Sequence, residues 1–265
     1  HLELQQQTGA PIVYGPTTVT SFPATVAKDG EVFRIGDTTI EVLHTPGHTL
    51  ESVCYLLRDA SGKPHCIFTG DTLFVGDVGR PDLSSGNMTS EQLAGMLYES
   101  LQKHIKSQPD DVIVYPAHGP GSACGKNIGP DAHSTIGEQK RINYALLAES
   151  KEDFVKAVTT GLDAPPDYFF INARINQEGY AVLKDLLGKS LRPLSVEDFK
   201  TRRDAADEPV ILDTRHESVF TEGFIPGSVF IGLHGRYAEW AGSLLPYDKP
   251  VLLVTEPGRE EESII

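Results

Sequence analysis

Three short stretches of the chain share one design. In Leu43-His44-Thr45-Pro46-Gly47-His48, Phe68-Thr69-Gly70-Asp71 and Tyr115-Pro116-Ala117-His118-Gly119, a β-prone run enters a tight Gly- or Pro-containing turn where a potential metal ligand stands. Loops at strand ends are where a rigid scaffold carries functional groups, and two imidazoles with one carboxylate suit a first-row divalent metal. Each segment alone reads more readily as a cap or a solvated turn. Their joint occurrence makes His48, Asp71 and His118 the candidate ligands. His1, His44, His65, His104 and His133 have no partner at ligand spacing and read as structural or solvated, while Cys54 and Cys66 sit in apolar runs as small buried hydrophobes.

The turns need strands to hold them. Runs bounded by Gly, Pro, Asp or Ser at 11–14, 31–34, 38–43, 53–57, 66–69 and 112–115 predict those strands. Apolar residues at Leu93, Met96, Leu97, Leu101 and Ile105, with Thr89 as cap, predict a helix over 89–106. Further helices are expected over 134–147, 151–160, 179–187 and 195–203. The composition shifts at Gly188-Lys189-Ser190-Leu191-Arg192-Pro193, which divides the chain into domains 1–188 and 189–265. In the second, strand-like 209–212, 228–231 and 250–254 alternate with helix-like 216–221 and 235–244, the rhythm of a small parallel α/β sheet.

Composition narrows the class. The 265 residues carry 23 Lys plus Arg against 37 Asp plus Glu, a net charge of -14, the wrong sign for a nucleic-acid partner. No apolar run reaches the roughly 18 residues of a membrane span. Three cysteines (Cys54, Cys66, Cys124) are too few for a disulfide framework and point to a reducing compartment, so a cytoplasmic protein is expected. The chain enters directly on the amphipathic Leu2, Leu4 pattern and stops soon after a strand-like run, which reads as a fragment at both ends.

Thr45-Pro46-Gly47-His48-Thr49, Thr69-Gly70-Asp71-Thr72-Leu73-Phe74 and Pro116-Ala117-His118-Gly119 resemble the later metal-binding motifs of the metallo-β-lactamase superfamily. Gly79-Arg80-Pro81-Asp82 is similar to the Gly-Arg segment of its persulfide dioxygenase and hydroxyacylglutathione hydrolase branches. The resemblance implies an αβ/βα four-layer sandwich, N-terminally incomplete because the family's first motif, His-x-His-x-Asp-His, is not in the sequence. In the dioxygenase branch it implies one Fe(II) on His48, Asp71 and a histidine of that first motif, with His118 nearby. In the hydrolase branch it implies Asp71 bridging two metals, zinc among them, with His118 on the second. Three residues are expected to bind substrate. Arg80 suits a carboxylate, the alternative being a salt bridge to Asp77 or Asp82; Ser122 and Lys126 lie in a loop able to wrap an anionic end, the alternative being an ordinary surface loop. Gly119-Pro120 stands where relatives acting on glutathione persulfide carry a tyrosine, which leaves the carrier thiol open.

Ile211-Leu212-Asp213-Thr214-Arg215 and Gly223-Phe224-Ile225-Pro226-Gly227-Ser228 resemble the Asp-x-Arg and Gly-x-Ile-Pro-Gly-Ser patterns of rhodaneses. In the matching loop Thr255-Glu256-Pro257-Gly258-Arg259-Glu260, Thr255 occupies the place of the sulfur-carrying cysteine, so the second domain reads as an incomplete rhodanese-like module without sulfur transfer of its own. The whole chain most resembles a persulfide dioxygenase fused to such a module, acting on a small-molecule thiol persulfide as an Fe(II) enzyme, with homo-oligomerisation and a further C-terminal rhodanese domain as expected partners. A zinc or binuclear hydrolase and a non-enzymatic sulfur-relay scaffold are the alternatives.

Overall fold

Strand β5 (Val53–Arg58) alternates, and the alternation organises the first part of the molecule. Cys54 and Leu56 are fully buried toward a core they share with Leu43, Ile67, Leu97, Leu101, Val114 and Phe154. Tyr55 faces the other way, and its hydroxyl donates to the Val13 carbonyl at 3.3 Å. A period of two that buries one set of side chains is what a sheet covered by helices requires.

The computed structural model describes residues 1–83, 88–166, 168–180 and 183–265. It divides into two compact units, Glu3–Gly179 and Tyr180–Ile265. The division lies ahead of the composition shift at Gly188, because helix α6 (Leu183–Ser190) packs with the last helix, α10 (Glu260–Ile264), of the second unit.

The first unit begins with helix α1 (Leu2–Thr8) and the parallel pair β1 (Val13–Tyr14) and β2 (Thr25–Val26). A six-stranded sheet follows, ordered β3 (Val32–Ile35), β4 (Thr38–His44), β5, β6 (Pro64–Gly70), β7 (Ile113–Pro116) and β8 (Ser134–Thr135). The β1–β2 pair lies on the Tyr55 side of this sheet. Helix α2 (Ser90–Ser100) starts at a capping box in which the Thr89 hydroxyl accepts from the Gln92 amide and the Gln92 side chain accepts from the Thr89 amide. It continues as one π-turn, Leu101–Ile105, covering the predicted 89–106. Helix α4 (Lys151–Thr159) packs beside it, burying Phe154 and Val158. The expected helix over 134–147 is cut short as α3 (Ile136–Ile142). Asn143 leaves the helical conformation and its side-chain Nδ2 donates to the Asp77 carbonyl at 3.0 Å, so a contact remote in sequence ends the helix. Helix α5 (Tyr168–Glu178) was not foreseen in the pattern, and the expected 179–187 helix is α6.

The second unit holds helix α7 (Val196–Arg203) and a parallel three-stranded sheet ordered β10 (Val229–Phe230), β9 (Val210–Asp213), β11 (Val251–Val254). Helices α8 (Glu217–Glu222) and α9 (Tyr237–Leu244) alternate with the strands, as the sequence rhythm predicts. At the end of β9, Arg215 donates to both oxygens of the fully buried Asp213, at 2.9 and 2.6 Å, and to the Gly223 carbonyl at 2.9 Å. The Asp-x-Arg strand end and the glycine turn are thus one bonded structure. Among the described residues, no helix is long and apolar enough to cross a membrane.

Candidate metal centre

Strand direction brings the three turns together. β4 is antiparallel to β5, β5 antiparallel to β6, and β6 parallel to β7, so β4, β6 and β7 run the same way and their C-terminal ends share one sheet edge. His48, Asp71 and His118 follow those ends. His48 Nε2 lies 3.2 Å from Asp71 Oδ2, and His118 Nδ1 lies 3.0 Å from Asp71 Oδ1, so the carboxylate stands between the two imidazoles. His48 is buried, whereas the His118 side chain is 41% exposed.

Each donor is held from behind. The Arg80 carbonyl can only accept, so the 2.9 Å contact with His48 Nδ1 puts a hydrogen on that nitrogen and turns Nε2 inward, the arrangement seen around metal-bound histidines. Gly79 allows this approach. A Cβ there would fall 1.9 Å from the Asp71 carbonyl oxygen and 3.0 Å from His48 Cγ. Gly47 does the same for the first turn, where a Cβ would lie 2.4 Å from Leu97 Cβ of α2. Beneath the turns, the buried Thr45 and Thr72 hydroxyls meet at 2.8 Å, and the Ala117 amide donates to the Gly70 carbonyl at 3.1 Å. Burial works to raise the pKa of Asp71, but its hydrogen bond to His48 and the charges of His48 and His118 outweigh burial and hold the carboxyl below its ordinary value.

A fourth residue enters that the spacing argument missed. The ligand atoms of His48, Asp71 and Cys124 all lie within 4.8 Å of one another. Burial, and then the Asp71 charge, push the Cys124 thiol up to about 11. A cysteine in the Gly-rich loop directly after the third motif was the available signal; its approach to Asp71 depends on contacts far away in sequence. An imidazole, a carboxylate and a thiol converging from well-covered loops fit a divalent transition metal.

The residues expected to bind substrate are engaged elsewhere. Arg80 is 5% exposed and grips Asp82 with Nε at 2.8 Å and Nη2 at 2.6 Å, while Nη2 also donates to the Asp163 carbonyl at 2.5 Å. The salt-bridge alternative is therefore the one observed. The Lys126 ammonium donates to the Ala157 and Thr160 carbonyls, at 2.8 and 2.5 Å, at the C-terminal end of α4. Ser122 Oγ accepts from the Cys124 amide at 3.2 Å. All three take part in building the loop around the site.

Comparison with known proteins agrees with this geometry. The crystal structure of a metallo-beta-lactamase from Staphylococcus aureus subsp. aureus COL matches with a TM-score of 0.82 and 28% identity, over 98% of this chain and 75% of that one. The probable hydroxyacylglutathione hydrolase glo2 of Schizosaccharomyces pombe is 30% identical over 166 residues, 55% of this chain and 60% of that protein. Persulfide dioxygenase ETHE1 of Homo sapiens is 34% identical over 133 residues, 49% of this chain and 43% of that protein. The chain thus spans about half the length of these two curated relatives. Residues 2–121 match the family model described as Metallo-beta-lactamase superfamily, and that segment carries all three strand-end turns. With fold, turns and profile in agreement, the chain belongs to the metallo-beta-lactamase superfamily.

Proposed function

We propose that the protein is an Fe(II)-dependent persulfide dioxygenase, converting a low-molecular-weight thiol persulfide, dioxygen and water to the thiol and sulfite. The observation that carries this reading is the joining, in one chain, of the His48–Asp71 centre to a parallel α/β unit built on the Asp213–Arg215–Gly223 bonds. That unit resembles a sulfur-handling module. His48 and Asp71 would hold the metal, with His118 beside it. A ferrous ion supplies redox chemistry toward dioxygen that no side chain possesses. The chain's own residues set the geometry: the Arg80 carbonyl orients His48, Gly79 lets Asp71 approach, and Asp71 aligns His118.

The second unit supplies shape, not sulfur transfer. The Thr255 hydroxyl meets the Ser263 hydroxyl at 3.0 Å, which in turn meets the Thr214 hydroxyl at 3.0 Å. A hydroxyl is no substitute for a thiolate toward sulfane sulfur.

One observation favours a two-metal thioester hydrolase instead: Asp71 offers one oxygen to His48 and the other to His118, as a bridging carboxylate does. Reconstitution with Fe(II) or Zn(II) separates the readings. Oxygen uptake with sulfite formation from glutathione or coenzyme A persulfide, in the Fe(II) form alone, is the expected result. Thioester cleavage by the Zn(II) form without oxygen uptake overturns the dioxygenase assignment, and turnover of neither substrate favours the scaffold.

A further inference from the structure

We propose that Cys124 is a thiolate donor to the metal held by His48 and Asp71, adding sulfur to their nitrogen and oxygen donors, with His118 outside this group. The proposal rests on the metal-centre reading above and adds a ligand to it. Three observations support it. The donor atoms of His48, Asp71 and Cys124 form one group within 4.8 Å, whereas His118 meets Asp71 through the opposite oxygen from His48. Donors that close can share one ion at bond lengths of about 2.0–2.3 Å with only small side-chain adjustments.

The second observation is how Cys124 is placed. One residue ties it to His48: the Arg80 carbonyl accepts from His48 Nδ1 at 2.9 Å, and the Arg80 amide donates to the Cys124 carbonyl at 2.9 Å. The Arg80 guanidinium adds a 3.4 Å bond to the Ala123 carbonyl, and Asp77 accepts from the Lys126 and Asn127 amides at 2.7 and 2.6 Å. The backbone on both sides of Cys124 is therefore pinned to the segment that carries Asp71. The Arg80 amide bond is to the Cys124 backbone, so it fixes the point from which the thiol reaches the site.

Third, the chemistry is complementary. Cys54 and Cys66 are buried in strands, while Cys124 is only partly covered and faces the site. When the metal binds, the S–H bond breaks, the sulfur–metal bond forms, and the proton leaves to solvent. A thiolate shifts preference toward thiophilic ions such as Zn(II), Co(II) and Cd(II) and away from Mg(II) and Mn(II).

The test is a Co(II) titration of the metal-free chain under anaerobic, reducing conditions. Binding of one equivalent should bring visible ligand-field bands and a near-ultraviolet sulfur-to-cobalt charge-transfer band. Cys124→Ser should abolish the charge-transfer band and weaken Co(II) binding about tenfold or more, with unchanged far-ultraviolet circular dichroism reporting its fold. Cys66→Ala should keep the band. Ligand-field bands without charge transfer, or a charge-transfer band that survives in Cys124→Ser, overturn the Cys124 assignment and leave the His48–Asp71 centre standing. No Co(II) spectrum in the unmodified chain overturns both.

Discussion

Asp77→Asn tests whether one buried carboxylate organises the wall of the site. Asp77 is 0% exposed and accepts four hydrogen bonds. Oδ1 takes the Val78 amide at 2.8 Å and the Tyr144 hydroxyl at 2.9 Å; Oδ2 takes the Lys126 and Asn127 amides at 2.7 and 2.6 Å. Burial, and then the Asp77 charge, raise the Tyr144 phenol far above its usual pKa, as expected of a phenol donating to an anion. An asparagine keeps one oxygen. Its best orientation leaves that oxygen to Lys126 and Asn127 and turns the amide toward Tyr144, whose hydroxyl can rotate to accept. The Val78 amide then loses its partner, at about 1–3 kcal/mol, and two charge-assisted bonds become neutral, at about 1 kcal/mol each. Removing a buried charge returns part of that sum, so the net loss is roughly 2–4 kcal/mol. With a urea slope of about 2 kcal/mol per molar, the midpoint of the first unit should fall by roughly 1–2 M, followed through a probe in that unit. Tyr144→Phe in the Asp77→Asn background should cost less than in the native protein, since the bond it removes is neutral instead of charge-assisted. A midpoint shift below about 0.5 M, or full additivity of the two substitutions, would refute the reasoning.

Three further outcomes follow from the same contacts. Gly79→Ala should destabilise the first unit by about 1–3 kcal/mol and abolish metal binding, because its Cβ would sit 1.9 Å from the Asp71 carbonyl oxygen; isothermal titration with Zn(II) and urea unfolding check both. Lys126→Ala should cost about 0.5–1 kcal/mol through lost capping of α4 and leave the KM for the substrate proposed above unchanged, whereas a several-fold KM rise would support the substrate-binding role. Asp213→Asn should destabilise the second unit by about 2–3 kcal/mol, because the Arg215 guanidinium loses its anion while 19% exposed, and limited proteolysis should show that unit cleaved first.

The convergence of His48, Asp71 and His118 was legible because its signal is local. A β-prone run ending in Pro-Gly-His, Gly-Asp or Pro-Ala-His declares both a strand end and the side chain at it, and strand direction then assembles the three. The parallel sheet of the second unit was legible for the same reason, since β9, β10 and β11 each announce themselves in a few apolar residues. Cys124 was not legible. Its place depends on the Arg80 amide and on Asp77, neither of which its own neighbours reveal.

Arg80 and Lys126 show the complementary difficulty: their expected substrate role has competitors inside the fold. Charge suggests an anion as partner, yet a guanidinium or ammonium takes whichever acceptors the folded chain brings within reach. For Lys126 these are carbonyls at the end of α4; for Arg80, Asp82 two residues on and the Asp163 carbonyl. A carboxylate at short sequence range can be read as a competitor, and Asp82 was. A backbone carbonyl cannot, because every residue has one. Cations of a metal-site loop are therefore assigned to substrate only after the carbonyl ends of neighbouring helices have been counted against them. Applied here, that count leaves His48, Asp71, His118 and Cys124 as the side chains that meet around the candidate centre.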